Sequence, residues 1–393
     1  MGTQIFIAGG GIGGLATALA CVQAGFDVRL FERAVGFSEV GAGLQLGPNA
    51  TRRLQAMGLG DRLQALASFP SSLRIRSALT GKTLGQLSLG DDIAQRYGAP
   101  YATMHRADLQ VMLLDAVCAT GVDLRTGAVI ESVVAGSSVV SVSTSAAASP
   151  VECDVLVGAD GLWSAVRRYV AGATPPSFTG HLAYRGLIKQ TDLPAAMRQR
   201  DVHVWLGPRL HVVAYPVRRD ELLNVVAIVQ GEQPDDLRDW DQAGVTAQLH
   251  AALGDMCAPL RELIHAIHSW RLWALNDRPA VRGAAEMASG RIALVGDAAH
   301  PMRPYLAQGA AMAIEDGVEL ARCLAMVKEA GIDVPLALSR YALNRWQRNA
   351  QVQIRAQGNG DIFHSTGVVR WGRDIAMRVL GEGLLDQPWL YRG

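Results

Sequence analysis

The chain opens on a short apolar run at 4–8, a longer one at 12–23 and a third at 27–32, with glycines crowded between the first two. An unbroken apolar run of strand length reads as a strand buried on both faces, so strand, helix, strand in this order predicts a βαβ unit of a parallel sheet. Helices are predicted at 48–57, where Pro48 stands at the start and forfeits no hydrogen bond, and at 106–119. Runs at 129–134 and 139–145 predict a meander, and 153–158 another buried strand. From 181 to 230 the texture changes to short, β-rich, partly alternating segments at 181–188, 202–206, 210–217 and 222–229, the pattern of an antiparallel sheet. The buried-strand pattern returns at 291–295, followed by helical stretches near 310–327, 335–353 and 366–380. With no repeat and no flexible linker, the first unit reads as interrupted by the second and resumed after it.

Composition narrows the classes. A chain of 393 residues that is 49% hydrophobic and 19% charged can bury large cores, which excludes wholesale disorder. Lys and Arg number 37 against 36 Asp and Glu, so no basic nucleic-acid footprint exists and a small-molecule ligand is expected. Five widely spaced cysteines without Cys-x-x-Cys fit free thiols in a reducing, cytoplasmic setting. No metal is expected: His265 and His268 are spaced to share a helix face, but no third ligand lies nearby. The apolar stretch 5–26 imitates a signal peptide or anchor, yet it lacks a basic leader and is crowded with glycine, so no membrane segment is expected.

Gly9, Gly11 and Gly14 form Gly-x-Gly-x-x-Gly, with Gly13 inside it, between the first strand and its helix. Such glycines permit a tight turn, close approach of a pyrophosphate and close helix–strand packing, while the helix N-terminus offers N–H groups and positive dipole to phosphate. Glu32 ends the second strand, where a carboxylate can accept hydrogen bonds from a ribose. Two further buried runs end in acid and glycine: Gly158-Ala159-Asp160-Gly161 and Gly296-Asp297-Ala298-Ala299-His300-Pro301.

In this order the three segments resemble the motifs of the aromatic-ring flavoprotein hydroxylases, the para-hydroxybenzoate hydroxylase-like family, and the resemblance runs nearly the whole chain. It implies an α/β fold with a Rossmann-like FAD-binding domain at 1–72, 96–177 and 276–393, including a C-terminal helical region, and an inserted antiparallel-sheet substrate domain at 73–95 and 178–275. It further implies tightly bound FAD, with NADH or NADPH as a transient co-substrate. Glu32, with Arg33 beside it, would hold the adenosine ribose; Arg106 would reach the pyrophosphate; Asp297 would bind the ribityl or pyrophosphate region. Asp160 would brace the FAD-binding fold, in a motif the family also ties to NAD(P)H. Pro301, Gly309 and Ala310 would pass the isoalloxazine ring at a helix N-terminus.

Two further stretches, 41–49 and 210–216, carry the family texture around the substrate. Gln45 and Tyr305 would touch substrate, while His211 and Tyr215 would assist deprotonation of its phenol. Alternation puts His211, Val213 and Tyr215 on one strand face. The implied activity is an O2-dependent monooxygenase acting on a small phenolic aromatic acid through a flavin hydroperoxide. Among substrates 3-hydroxybenzoate comes first, then salicylate or 6-hydroxynicotinate. A flavin oxidase or dehydrogenase on the same fold, and a non-catalytic FAD-binding protein, stay open as alternatives, and a homodimer is one option for the assembly.

Overall fold

A computed structural model describes residues 3–37, 42–239 and 242–393; Gly41 of the 41–49 stretch lies outside them. Among the described residues the first sheet has six strands, ordered Ala288–Ser289, Ile292–Leu294, Val155–Gly158, Gln4–Ala8, Asp27–Glu32, Asp123–Thr126. All its pairings are parallel except the two-residue edge strand Ala288–Ser289. Ile5, Phe6, Ile7, Val155, Leu156 and Val157 are fully buried, which explains why these strands read as continuous apolar runs. The helix Ile12–Gln23 packs against Gly309–Glu329 on one face.

The second sheet has eight strands among the described residues, ordered Gln242–Ala243, Arg271–Asp277, Ser177–Lys189, Leu222–Gln230, Leu210–Val217, Val202–Gly207, Ser72–Ser77, Thr83–Ser88. It is antiparallel except where Ser72–Ser77 lies parallel to Val202–Gly207. Its residues Trp205, Val212, Ala214, Leu223, Val225 and Ala227 form a core with the helices Thr246–Leu253 and Ala258–His265, which alternation alone did not reveal. The second of these helices ends at His265, so His268 lies beyond it and the two do not share a helix face; the His265 ring instead stands 4.6 Å from that of His250.

The long helix Val334–Phe363 begins at Asp333, whose side chain accepts the Leu336 N–H at 2.8 Å, with Pro335 in its first turn. It runs ten residues past the predicted end at 353, through Gly358 and Gly360. Both glycines depress helix propensity, but a Cβ at Gly360 would press to 2.6 Å from the Tyr305 ring, so glycine is needed where this helix reaches the second sheet.

Candidate functional site

The glycine turn is held by its own backbone. Gly9 adopts φ +104°, closed to ordinary side chains, and donates its N–H to Phe31 O at 2.8 Å. A Cβ there would strike Ala159 O, and one at Gly14 would strike Gly9 O. Gly11, the residue before the helix, faces open space instead. Glu32 spans the turn, accepting the Gly10 N–H at 2.7 Å and the Ala34 N–H at 2.8 Å, while Gln110 donates to Gly10 O at 3.1 Å. Arg33 is exposed beside it. Gly13 packs toward Ala313 of the Gly309–Glu329 helix.

Asp160 caps the next turn, accepting Ser164 Oγ at 2.5 Å and the Ala165 N–H at 2.6 Å; burial raises its pKa and these bonds oppose the rise. Arg167, not anticipated from sequence, is buried and donates to Ala298 O and Ala299 O at 3.0 and 2.7 Å, tying the Asp160 turn to the Asp297 turn. Asp297 has open surface yet is walled by protein, as on the side of a cleft. That surrounding raises its pKa, against His300 and Arg106 nearby. Desolvation brings the Arg106 guanidinium down to about 10 despite Asp297. Beyond the cleft, Pro301 accepts from Gln353 Nε2 at 2.9 Å, and Ala307 turns the chain at φ +52° into the helix that starts at Gly309 and Ala310. A side chain at Gly309 would meet nothing within 4 Å, so the helix N-terminus is open there.

Behind this turn lies a buried ionic cluster that sequence reading missed. Asp316 accepts His300 Nε2 at 2.5 Å, the Gly296 N–H at 3.0 Å and Arg345 Nε at 2.8 Å. Glu315 pairs with Arg345 and Arg348 at 2.6 and 2.7 Å, and Asn49 donates to it at 2.8 Å. Although burial opposes ionisation, the arginines hold the Glu315 carboxyl down to about 2 and, with His300, keep Asp316 well below the ordinary carboxylate range. The paired charges are satisfied, as buried ions must be.

The eight-stranded sheet turns a polar face toward this cleft. Register aligns Tyr215 with Asn224, Val213 with Val226 and Arg185, and His211 with Ile228, Ala183 and Trp273. Cross-strand partners share a face, so Arg185 stands in the row between His211 and Tyr215, its guanidinium 5.8 Å from the Trp273 ring centre. Arg185 also acts electrostatically on both Tyr215 and Arg106, which joins this face to the cleft. Tyr215 is buried, which raises its pKa, and Gln45 hydrogen-bonds to it; Gln45 in turn accepts Tyr101 Oη at 2.7 Å.

At the other end His211 Nδ1 lies 2.7 Å from His364 Nε2, with Tyr305 and Phe363 ring centres at 5.2 and 5.4 Å. Burial, His364 and His181 push the His211 pKa well down, so the ring is neutral. His181 Nδ1, His364 Nδ1, Tyr305 Oη and Asn224 Nδ2 are buried with no protein partner. Four such atoms around one face are unmet donors or acceptors of the kind a bound ligand satisfies. Of these residues sequence reading named Tyr305 alone. Asn224, a polar residue inside the apolar run 222–229, carried a signal; His364, brought in by the extended helix, carried none.

The open glycine turn, the Arg106–Asp297 pair and the free helix N-terminus at Gly309 fit a dinucleotide lying along the cleft. With a second sheet carrying a polar face beside it, this fold and site define an FAD-dependent aromatic-ring monooxygenase. The chain belongs to the FAD binding domain family, which matches residues 2–356. It is 35% identical over 391 residues to the 3-hydroxybenzoate 6-hydroxylase of Polaromonas naphthalenivorans, covering 98% of this chain and 95% of that protein. It is 36% identical over 399 residues to a 3-amino-4-hydroxybenzoate 2-monooxygenase of Streptomyces platensis, covering 99% and 95%. The crystal structure of Klebsiella pneumoniae HpxO complexed with FAD and uric acid superposes with TM-score 0.85 at 23% identity, over 98% of this chain and 94% of that one, a likeness of fold. Among the described residues no helix is long and apolar enough to cross a membrane, and no group of three His, Cys, Asp or Glu could hold a metal ion.

Proposed function

We propose that this chain hydroxylates a small phenolic aromatic acid, using NAD(P)H as electron donor and O2 as co-substrate, with 3-hydroxybenzoate the first substrate to try and salicylate or 6-hydroxynicotinate next. The observation that carries this reading is the buried row of His211, Arg185 and Tyr215 on one sheet face beside the dinucleotide cleft. Both relatives named above act, by name, on hydroxylated benzoates. FAD, when bound, supplies electron uptake from NAD(P)H and delivery of one oxygen atom to an electron-rich ring.

Gly9, Gly11, Gly13, Gly14 and Glu32, with Arg33, would hold the ADP half; Arg106 and Asp297 the pyrophosphate and ribityl chain; Pro301, Gly309 and Ala310 the ring system. Asp160 braces the turn between them. The part at 73–95 and 178–275 would be the substrate domain, and the rest the FAD-binding domain.

His211 and Tyr215 are four residues apart, so their Cα atoms are separated by roughly 13 Å at ~3.3 Å per residue. One aromatic ring fits between them. His211, neutral and held through Nδ1 by His364, presents Nε2 to accept the phenol proton, a contribution typically on the order of 10²–10⁴-fold. Tyr215, kept protonated by burial, donates toward the other end of the ring, and Arg185 faces the carboxylate. Gln45 and Tyr305 line the ring edges.

The test is turnover of the FAD-loaded protein under labelled O2 with hydroxybenzoates and hydroxypyridine acids, NADH and NADPH compared. One labelled oxygen in an added ring hydroxyl is expected. Label found wholly in peroxide, with product unlabelled, establishes an oxidase instead.

A further inference from the structure

The opposite face of the same sheet carries a second cluster of cations. Register pairs Arg74 with His203 and Arg76 with Trp205 across the parallel strands, and His203 and Trp205 pair in turn with Ala214 and Val212. By alternation these side chains point away from His211 and Tyr215. Together with the segment Arg198–Asp201 and with Pro259 and Leu263 of a covering helix, they enclose a cavity of about 270 Å³. Its walls include four arginines (Arg74, Arg76, Arg198 and Arg200) and one carboxylate, Asp201.

That carboxylate is already engaged. Asp201 accepts from Ser71 Oγ at 2.8 Å and the Ser72 N–H at 2.9 Å, and pairs with Arg74 at 3.1 Å. Arg76 pairs with no carboxylate among the described residues, and its Nε is buried without a partner. Trp205, 3% exposed, has its indole Nε1 buried and unpartnered, and so is His203 Nδ1. Desolvation and the two arginines push His203 down to about 4, so at neutral pH it adds a neutral donor or acceptor, not a further charge. Three unmet polar groups, one of them on a guanidinium without a carboxylate partner, in one cavity call for an anion that hydrogen-bonds.

The wall is prebuilt. Gln190 Nε2 donates to Gln199 O at 2.9 Å and Gln190 Oε1 accepts the Gln199 N–H at 2.7 Å, fastening the segment that carries Arg198, Arg200 and Asp201. The remaining lining is flat or apolar: the Trp205 ring, Met197, Ala196, Pro259 and Leu263. A volume just under the ~300–1,000 Å³ of drug-sized sites suits one ring. We infer that the reverse face of the eight-stranded sheet holds a second ligand site, for a monocyclic aromatic carboxylate, separate from the site of hydroxylation. The carboxylate lies against Arg76 and the Trp205 N–H, and the ring against Leu263, Pro259 and Met197. A free phosphate shares the charge but leaves those apolar surfaces uncovered.

The test is equilibrium dialysis of radiolabelled benzoate against the FAD-loaded protein, run beside a titration of the flavin absorbance. The reverse-face site is benzoate bound beyond the amount that perturbs the flavin. One such equivalent per chain is expected, and Arg76→Gln should weaken it roughly tenfold, the loss of one charge-assisted hydrogen bond. His203→Asn should weaken it too, and serves if the arginine variant folds poorly. The flavin titration should not move in either. The inference is overturned if no extra equivalent binds, if both variants retain it at parental affinity, or if either variant shifts the flavin titration in parallel. Displacement by inorganic phosphate at equal concentration also overturns it, because the site would then read charge alone.

Discussion

The glycine cleft and the polar sheet face are built from different parts of the chain. In the cleft the backbone acts: Gly9 and Gly14 leave room that a side chain would fill, and Glu32 and Asp160 accept main-chain N–H groups that fix the turns. On the sheet face side chains act, contributed by remote segments: Gln45, Tyr101, Arg185, His211, Tyr215, Tyr305 and His364. At Gly9 and Gly14 the cleft admits no added side chain.

The sharpest way to break that contrast is at Gly9. Gly9→Val places a β-branched residue at φ +104° and a side chain into Ala159 O, so FAD retention should be lost entirely, measured as flavin per chain after purification. Full retention would show that the turn does not depend on glycine. Next in size is the ionic cluster under the cleft. Glu315→Gln leaves Arg345 and Arg348 short of their charge partner and should cost about 3–5 kcal/mol in denaturant unfolding. Because the Glu315 pKa is depressed from 4.5 to about 2, its stabilisation is complete above pH 4.5 and lost as pH falls toward 2; the variant should show a flatter acid limb.

On the sheet face, effects should be smaller and fall first on substrate binding. Arg185→Met should raise KM for a carboxylated substrate by roughly 10–100-fold, the worth of one or two charge-assisted hydrogen bonds, with FAD content unchanged. An unchanged KM would remove Arg185 from substrate binding. The smallest effect is expected from His364→Gln on stability. Burial lowers His364 from 6.5 to about 3, so the neutral ring stabilises the fold fully above pH 6.5 and progressively less below it. The variant should lose part of that slope in melting temperature, and an identical slope would show that the pair with His211 is not what titrates.

The same contrast explains what could be read from the chain before its structure. The cleft was legible because each turn is local: strand, glycine and acid lie within a few residues, as at Gly9–Gly14, Asp160 and Asp297. The sheet was legible as strands, and alternation puts His211 and Tyr215 together, but their partners are set by register and by a helix that runs ten residues past its predicted end. Phe363 and His364 lie beyond the predicted end at 353, past Gly358 and Gly360, which weaken helix propensity; the Tyr305 ring against Gly360 shows why glycine stands there. Arg167 and the Asp316 cluster carry no local signal in the sequence; their partners are remote in the chain and meet only where the fold buries them.

The central claim is that the sheet face activates the phenol ring and takes no part in flavin reduction. It is tested most directly by hydroxylated product formed per NAD(P)H consumed, in His211→Ala and Tyr215→Phe beside the parent, with FAD content and melting temperature matched. Substrate-stimulated nicotinamide oxidation should persist in both variants while product falls by roughly 10²-fold or more, as for loss of a general base, and the missing electrons should appear as hydrogen peroxide. Parental product yield per nicotinamide, at parental turnover, would contradict it.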